Sequence, residues 1–139
     1  MAALTKDKNR SYELGDINEL PIKGSTVIYQ GSALGSNSSG YAKPIANGDK
    51  FVGFADDHVD NSAGGDGAKN IRIKKRGAIL LEISSITLAD INKSVYATND
   101  NTFTLSDTDS VYIGQISRID SSGVAVVEFD SSDLPPVTE

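Results

Sequence analysis

The chain has 139 residues, 13 basic and 19 acidic side chains, a net charge of −6, one His and no Cys. That length suits one domain, because halving it would leave two pieces too small to build good cores. Without cysteine there is no disulfide framework, thiolate metal site or cysteine nucleophile. One His excludes a multi-histidine centre, and the acidic balance argues against general nucleic-acid binding.

Composition also points to a fold class. Fourteen Asp stand against five Glu, with 17 Ser and 9 Asn; with the 13 Gly, the Asp, Asn and Ser residues make up 53 of the 139. Short polar side chains bond nearby backbone and Gly accepts positive φ, so these residues favour turns. Many turns joining short apolar runs predict an all-β domain. The segment Met1–Asp7 meets charge too early for a signal peptide, and the longest aliphatic run, Ala78–Leu81, is far short of a membrane span. The expectation is neither secretion nor membrane insertion.

In chain order, residues 1–10 read as a polar arm. Residues 11–20 extend it, with Tyr12, Leu14 and Ile17 set between charges. Strands are predicted at 26–29, 41–45 and 51–55; in the last, Gly53 marks a bulge or a close backbone approach. Residues 56–68 read as one long Asp- and Gly-rich loop. Over 69–82, Ile71 and Ile73 alternate with Arg72, Lys74 and Arg76, and Ile79, Leu81 and Ile83 resume the inward set beyond Gly77. One bent strand or two joined at a bulge fits that pattern. Thr87–Asp90 has capping-box spacing and predicts a single helical turn. Hairpins follow at 95–105 and 111–129, and Pro135-Pro136 ends any pairing.

Candidate chemistry is thin. His58 beside Asp56 and Asp57 has the makings of an oriented base, yet no nucleophile or Gly-x-Ser-x-Gly elbow accompanies it. Asp56, Asp57, Asp60 and Asp66 are hard oxygen ligands without EF-hand spacing. Gly31–Gly35 lacks the Lys-Ser/Thr of a phosphate loop. Five of the thirteen basic groups fall between Lys69 and Arg76 with no aromatic among them. A solvated sheet edge ranks first for this run, protein docking second, and nucleic acid a distant third. Neither an enzyme nor a cofactor or metal site is expected.

Several stretches together resemble the capsid cement, or head decoration, proteins of tailed bacteriophages. They are Gly24–Ser32, Phe51–Ala55 with Asn61–Gly64, the basic strand into Arg76-Gly77, Ile86–Thr98 running on to Asn101–Leu105, Tyr112-Ile113-Gly114 and Val124–Asp130. One departure is Asn92, where Gly is expected; Asn also tolerates the left-handed conformation. The resemblance covers about 24–130.

It implies a non-enzymatic virion protein made in the bacterial host cytoplasm. Its fold would be an antiparallel β-barrel or β-sandwich, jelly-roll or tulip-like, over 21–130, with an extended amino-terminal arm (1–20) and a carboxyl tail (131–139). Its partners would be the major capsid protein on the outer surface of the expanded shell and further copies of itself, a homotrimer being preferred to a dimer. No specific nucleic acid and no membrane are implied. Capsid or neighbour contacts are assigned to Tyr12, Leu14 and Ile17 and to the Arg72, Lys74 and Arg76 face. The rival readings are another virion β-domain (a head-fibre base or tail-associated part) and, less favoured, a carbohydrate-binding module.

Overall fold

Short runs of strand-forming residues between turn formers yield twelve strands and no α-helix among the residues that the computed structural model describes, 3–11 and 13–132. In chain order they are β1 (Ile17–Pro21), β2 (Thr26–Ile28), β3 (Ala33–Ser36), β4 (Ala42–Pro44), β5 (Lys50–Ala55), β6 (Val59–Asn61), β7 (Asn70–Lys74), β8 (Arg76–Glu82), β9 (Ser94–Asn99), β10 (Thr102–Thr104), β11 (Val111–Ser121) and β12 (Val124–Asp130). Two five-stranded sheets run β1-β7-β5-β3-β4 and β10-β9-β11-β12-β8, and β2 pairs with β6. All strand pairs are antiparallel. The chain is therefore all-β, as its composition predicts. Strand pairing closes neither five-stranded sheet into a barrel among the described residues, although Ile22, just past β1, forms a single parallel bridge with Ala42 of β4.

The basic stretch is two strands. Ile71 and Ile73 are buried while Arg72 and Lys74 face out, and the chain crosses to the second sheet at Lys75, two residues before Gly77. The crossing is pinned on both sides: the Lys75 N–H donates to the Asp16 carbonyl at 2.9 Å, and its carbonyl accepts from the Ser131 N–H at 2.8 Å. These bonds satisfy backbone groups that leave one ladder before entering the next.

A bulge in β5 sets the core. Opposite β5, Leu34 faces Gly53 and Gly35 faces Phe51, so Val52 is the extra residue. That extra residue lets Phe51 and Phe54, three apart, point to the same side, where strict alternation would oppose them. Both join Ala33 and Ile45 against Leu81, Val95, Phe103, Ile113, Val127 and Phe129 from the second sheet. On the other side Leu34, Ala55, Ile71 and Ile73 pack with Ile22, Ile28 and Ala42.

Three strands escape the sequence reading. The segment 56–68 is not one loop, because it contains β6, paired with β2 from Thr26↔Asn61 to Ile28↔Val59. Asn61 is buried and its amide donates to the carbonyls of Lys23 and Gly65 at 3.2 and 3.1 Å. The Gly24 N–H donates to Asp66 Oδ1 at 2.8 Å. Ala33–Ser36 is β3, a strand that the glycine-rich segment Gly31–Gly35 does not announce. Ile17–Pro21 is β1, so the expected arm boundary at residue 20 falls inside a strand.

Candidate functional site

The two groups of expected contact residues lie more than fifty residues apart in the chain, and pairing of β1 with β7 brings them side by side. Ile17 lies opposite Lys74, and Glu19 opposite Arg72. Leu14 stands just before β1 and is 99% exposed, while Ile17 is 36% exposed. Arg76 opens β8, beside Gly15, whose added Cβ would meet the guanidinium at 3.5 Å. Tyr12 lies outside the described residues. The surface is thus a strip along one sheet edge, with a shallow groove on each side of Ile17. One groove, about 660 Å³, runs between Leu14, Asn18, Glu19 and Arg72. The other, about 670 Å³, runs between Lys74, Arg76, Tyr112, Gln115 and Glu128.

Acids temper the basic face. Arg72 Nε and Lys74 Nζ both approach the Asp56 carboxylate, at 3.5 and 3.7 Å, and Arg76 Nε lies 3.9 Å from Asp16 Oδ1. At such distances, with the basic side chains about half exposed or more, each pair is worth little and breaks readily for a better partner. Asp130 lies opposite Arg76 in the β8–β12 ladder. Hydrogen bonds from the Ser132 side chain and backbone, then the charges of Arg76 and Lys75, hold its carboxyl below the usual value. The strip can therefore offer cations, apolar leucine and isoleucine, and unpaired backbone of the β1 edge. That combination suits a protein surface better than a small molecule.

Sequence reasoning missed Asp16, Asn18 and Glu19 as members of this strip, because the partner of β1 lies more than fifty residues away. It also gave no hint that Leu88, on a single 3₁₀ turn (Leu88–Asp90), and Ile91, just after it, are left 75% and 37% exposed. The turn is firmly built. Asp90 accepts from the Thr87 N–H at 2.8 Å and from Lys93 Nζ at 2.9 Å. Asn92, just beyond, takes φ 71°, the left-handed conformation expected for it.

The Lys93 bond first, and the Thr87 amide next, hold the Asp90 carboxyl below its ordinary value. A lowered carboxyl stabilises the fold above its unfolded pKa and loses that contribution as pH falls through the folded value. Asp60 is lowered in the same direction by Ser62. Thermal stability should therefore fall on acidification below about pH 4. Asp90→Asn keeps an acceptor for the Thr87 amide but removes the charge. Scanning calorimetry should show a melting temperature a few degrees lower at neutral pH, and a shallower loss between about pH 4 and pH 2.

The remaining candidates find structural employment. The His58 ring packs on Tyr29 with centroids 5.2 Å apart, and the His58 backbone N–H donates to Asp57 Oδ1 at 3.0 Å. Asp60 caps the Ser62 N–H at 2.9 Å. Among the described residues no three or more His, Asp or Glu side chains gather where a metal ion could be held, and no helix is long and apolar enough to cross a membrane. No protein-family model, curated protein or solved structure matches the chain.

Proposed function

We propose that this protein is a structural, non-enzymatic component of a tailed-phage virion that binds the outer surface of the expanded capsid and cements the lattice of the major capsid protein. In this reading the two five-stranded sheets form a sandwich-like body, and the segment preceding β1 is an arm that reaches a neighbouring subunit. The body needs no cofactor and acts as a homo-oligomer, assembled after synthesis in the host cytoplasm. The observation that carries the reading beyond sequence resemblance is Leu14. In this reading Leu14, 99% exposed, and the neighbouring Ile17, 36% exposed, form with the loosely paired cations beside them the patch that a partner protein covers.

Cementing follows from mass action. A protein that binds only the expanded lattice stabilises that lattice by its binding free energy. Contacts repeated at several sites per oligomer raise the effective affinity without any single strong contact.

Purified protein titrated onto expanded, undecorated heads of the parent phage should saturate at a multiple of the capsomer number, counted after sedimentation. Leu14→Asp leaves the fold intact because the side chain touches nothing, and it should weaken shell binding about tenfold or more. Saturation at a few copies per head would instead mark a vertex or tail component. Undiminished binding by Leu14→Asp would remove the arm from the interface. Deletion should stop before Asp16, whose carbonyl pins Lys75.

A further inference from the structure

Free sheet edges invite pairing with other chains, and proteins blunt them with charge, proline or short length. Three of the four free edges of the five-stranded sheets are blunted. β4 and β10 are three residues each, β4 carrying Lys43 and Pro44, and β1 carries Glu19 and ends on Pro21. β8 is different. It has seven residues, Arg-Gly-Ala-Ile-Leu-Leu-Glu, with charge only at its two ends and no proline. It pairs with β12 alone. Gly77 and Ala78 are exposed, and Leu80 is 56% exposed. β10 comes near β8 without pairing, and a shallow groove of about 450 Å³ bounded by Glu82, Thr102 and Gly123 lies between their ends.

We propose that the β8 edge is an interface between two copies of the chain, the two β8 strands pairing antiparallel about a two-fold axis at Ile79. The strand's own sequence selects this register. With Ile79 opposite Ile79 of the second copy, Ala78 meets Leu80, Gly77 meets Leu81 and Arg76 meets Glu82. The two-fold repeats each of these, giving two Arg–Glu pairs, and small residues oppose large ones on both sides of the axis. Directly opposed residues of an antiparallel pair share a face. Arg76, Ala78, Leu80 and Glu82 are outward on both copies, while Leu81 is buried and Ile79 half-buried, so no residue changes face. A one-residue slip would turn each inward residue outward. A two-residue slip would set Arg76 against Leu80 or against Ser84 and lose both charge pairs. Glu82 has no cation partner within the described residues, so the pairing supplies one.

An isologous two-fold contact closes at two copies, so this edge favours a dimer where the resemblance leads to a trimer. One seven-residue strand pair buries less than a standard interface of about 1,600 Å². The free dimer should be weak, with Kd on the order of 10–100 µM. The contact does not rest on the capsid reading, and its test needs no capsid.

Because the chain lacks cysteine, engineered thiols report register cleanly. Ala78→Cys and Leu80→Cys, both at exposed positions, are oxidised alone and as an equimolar mixture of the otherwise intact chain. The register predicts that the mixture forms disulfide-linked dimers several-fold more efficiently than either variant alone. Sedimentation equilibrium of the unaltered protein should show a monomer–dimer equilibrium. Leu80→Lys and Glu82→Arg, which add like charges at the axis and opposite Arg76, should each weaken dimerisation about tenfold, with circular dichroism unchanged. A monomer up to about 1 mM, a trimer, equal cross-linking by the single variants, or dimerisation indifferent to both charge variants would overturn the proposal.

Discussion

Replacing Phe54 with Ala should cost about 3–5 kcal/mol, a large part of the roughly 5–15 kcal/mol that holds a domain folded. Phe54 is 3% exposed and belongs to the first sheet, yet three aromatic neighbours surround it. Its ring centroid lies 5.7 Å from Phe51, 6.2 Å from Phe103 and 4.9 Å from Phe129, the last edge-on at 72°. Phe103 and Phe129 come from β10 and β12 of the second sheet, so truncation removes the packing that joins the two sheets. Edge-to-face pairs add about 0.5–1.5 kcal/mol beyond burial. Urea unfolding should show an earlier midpoint, and the melting temperature should drop by roughly 10–20 °C. Phe54→Leu, which keeps much of the volume, should cost less than half as much. A loss below about 1 kcal/mol for the alanine variant would mean that the sheets are held together elsewhere.

The legibility of this fold follows the range of the forces that make each element. Strands bounded by turn formers, such as β5, β9 and β12, could be read because alternation and punctuation are local. Gly53 could be read as a bulge or close approach, and it is both. Asn92 could be read as left-handed because its short amide makes that conformation accessible. β1, β3 and β6 could not. Asn-Glu-Leu-Pro, Ala-Leu-Gly-Ser and Val-Asp-Asn have no strand signature of their own, and β1, for one, is made extended by a partner some fifty residues on. The same reason explains the surface. Leu14, Ile17, Arg72, Lys74 and Arg76 were nameable from apolar and basic character. That they share one edge depends on the β1–β7 register, which no local pattern encodes. The exposed Leu88 and the unprotected β8 edge depend on what fails to cover them, and absence of cover has no sequence signal.

Gly53→Ala should be the most damaging single methyl addition in the first sheet. Gly53 has φ +130°, and a Cβ there would stand 2.3 Å from the Lys74 carbonyl oxygen and 2.7 Å from Ile73 Cγ2. Backbone strain and collision act together, so the expected loss is about 2–4 kcal/mol. Gly40→Ala is the reference for a positive-φ site without the collision. Gly40 has φ +89° with no atom within 4 Å of the added methyl, so only the conformational cost of about 1–2 kcal/mol applies. The difference between the variants in equilibrium unfolding measures the collision together with the greater backbone strain of φ +130° over φ +89°. The consequence reaches the surface, because the strand pushed away is β7. It carries Arg72 and Lys74 and templates β1, where Ile17 sits. If the strip along this edge is the capsid-binding surface, Gly53→Ala protein that remains folded at low temperature should bind expanded heads more weakly, while Gly40→Ala protein should bind normally. Equal unfolding free energies for the two variants would mean that β5 and β7 can part at little cost, and the strip would then owe its shape to other contacts.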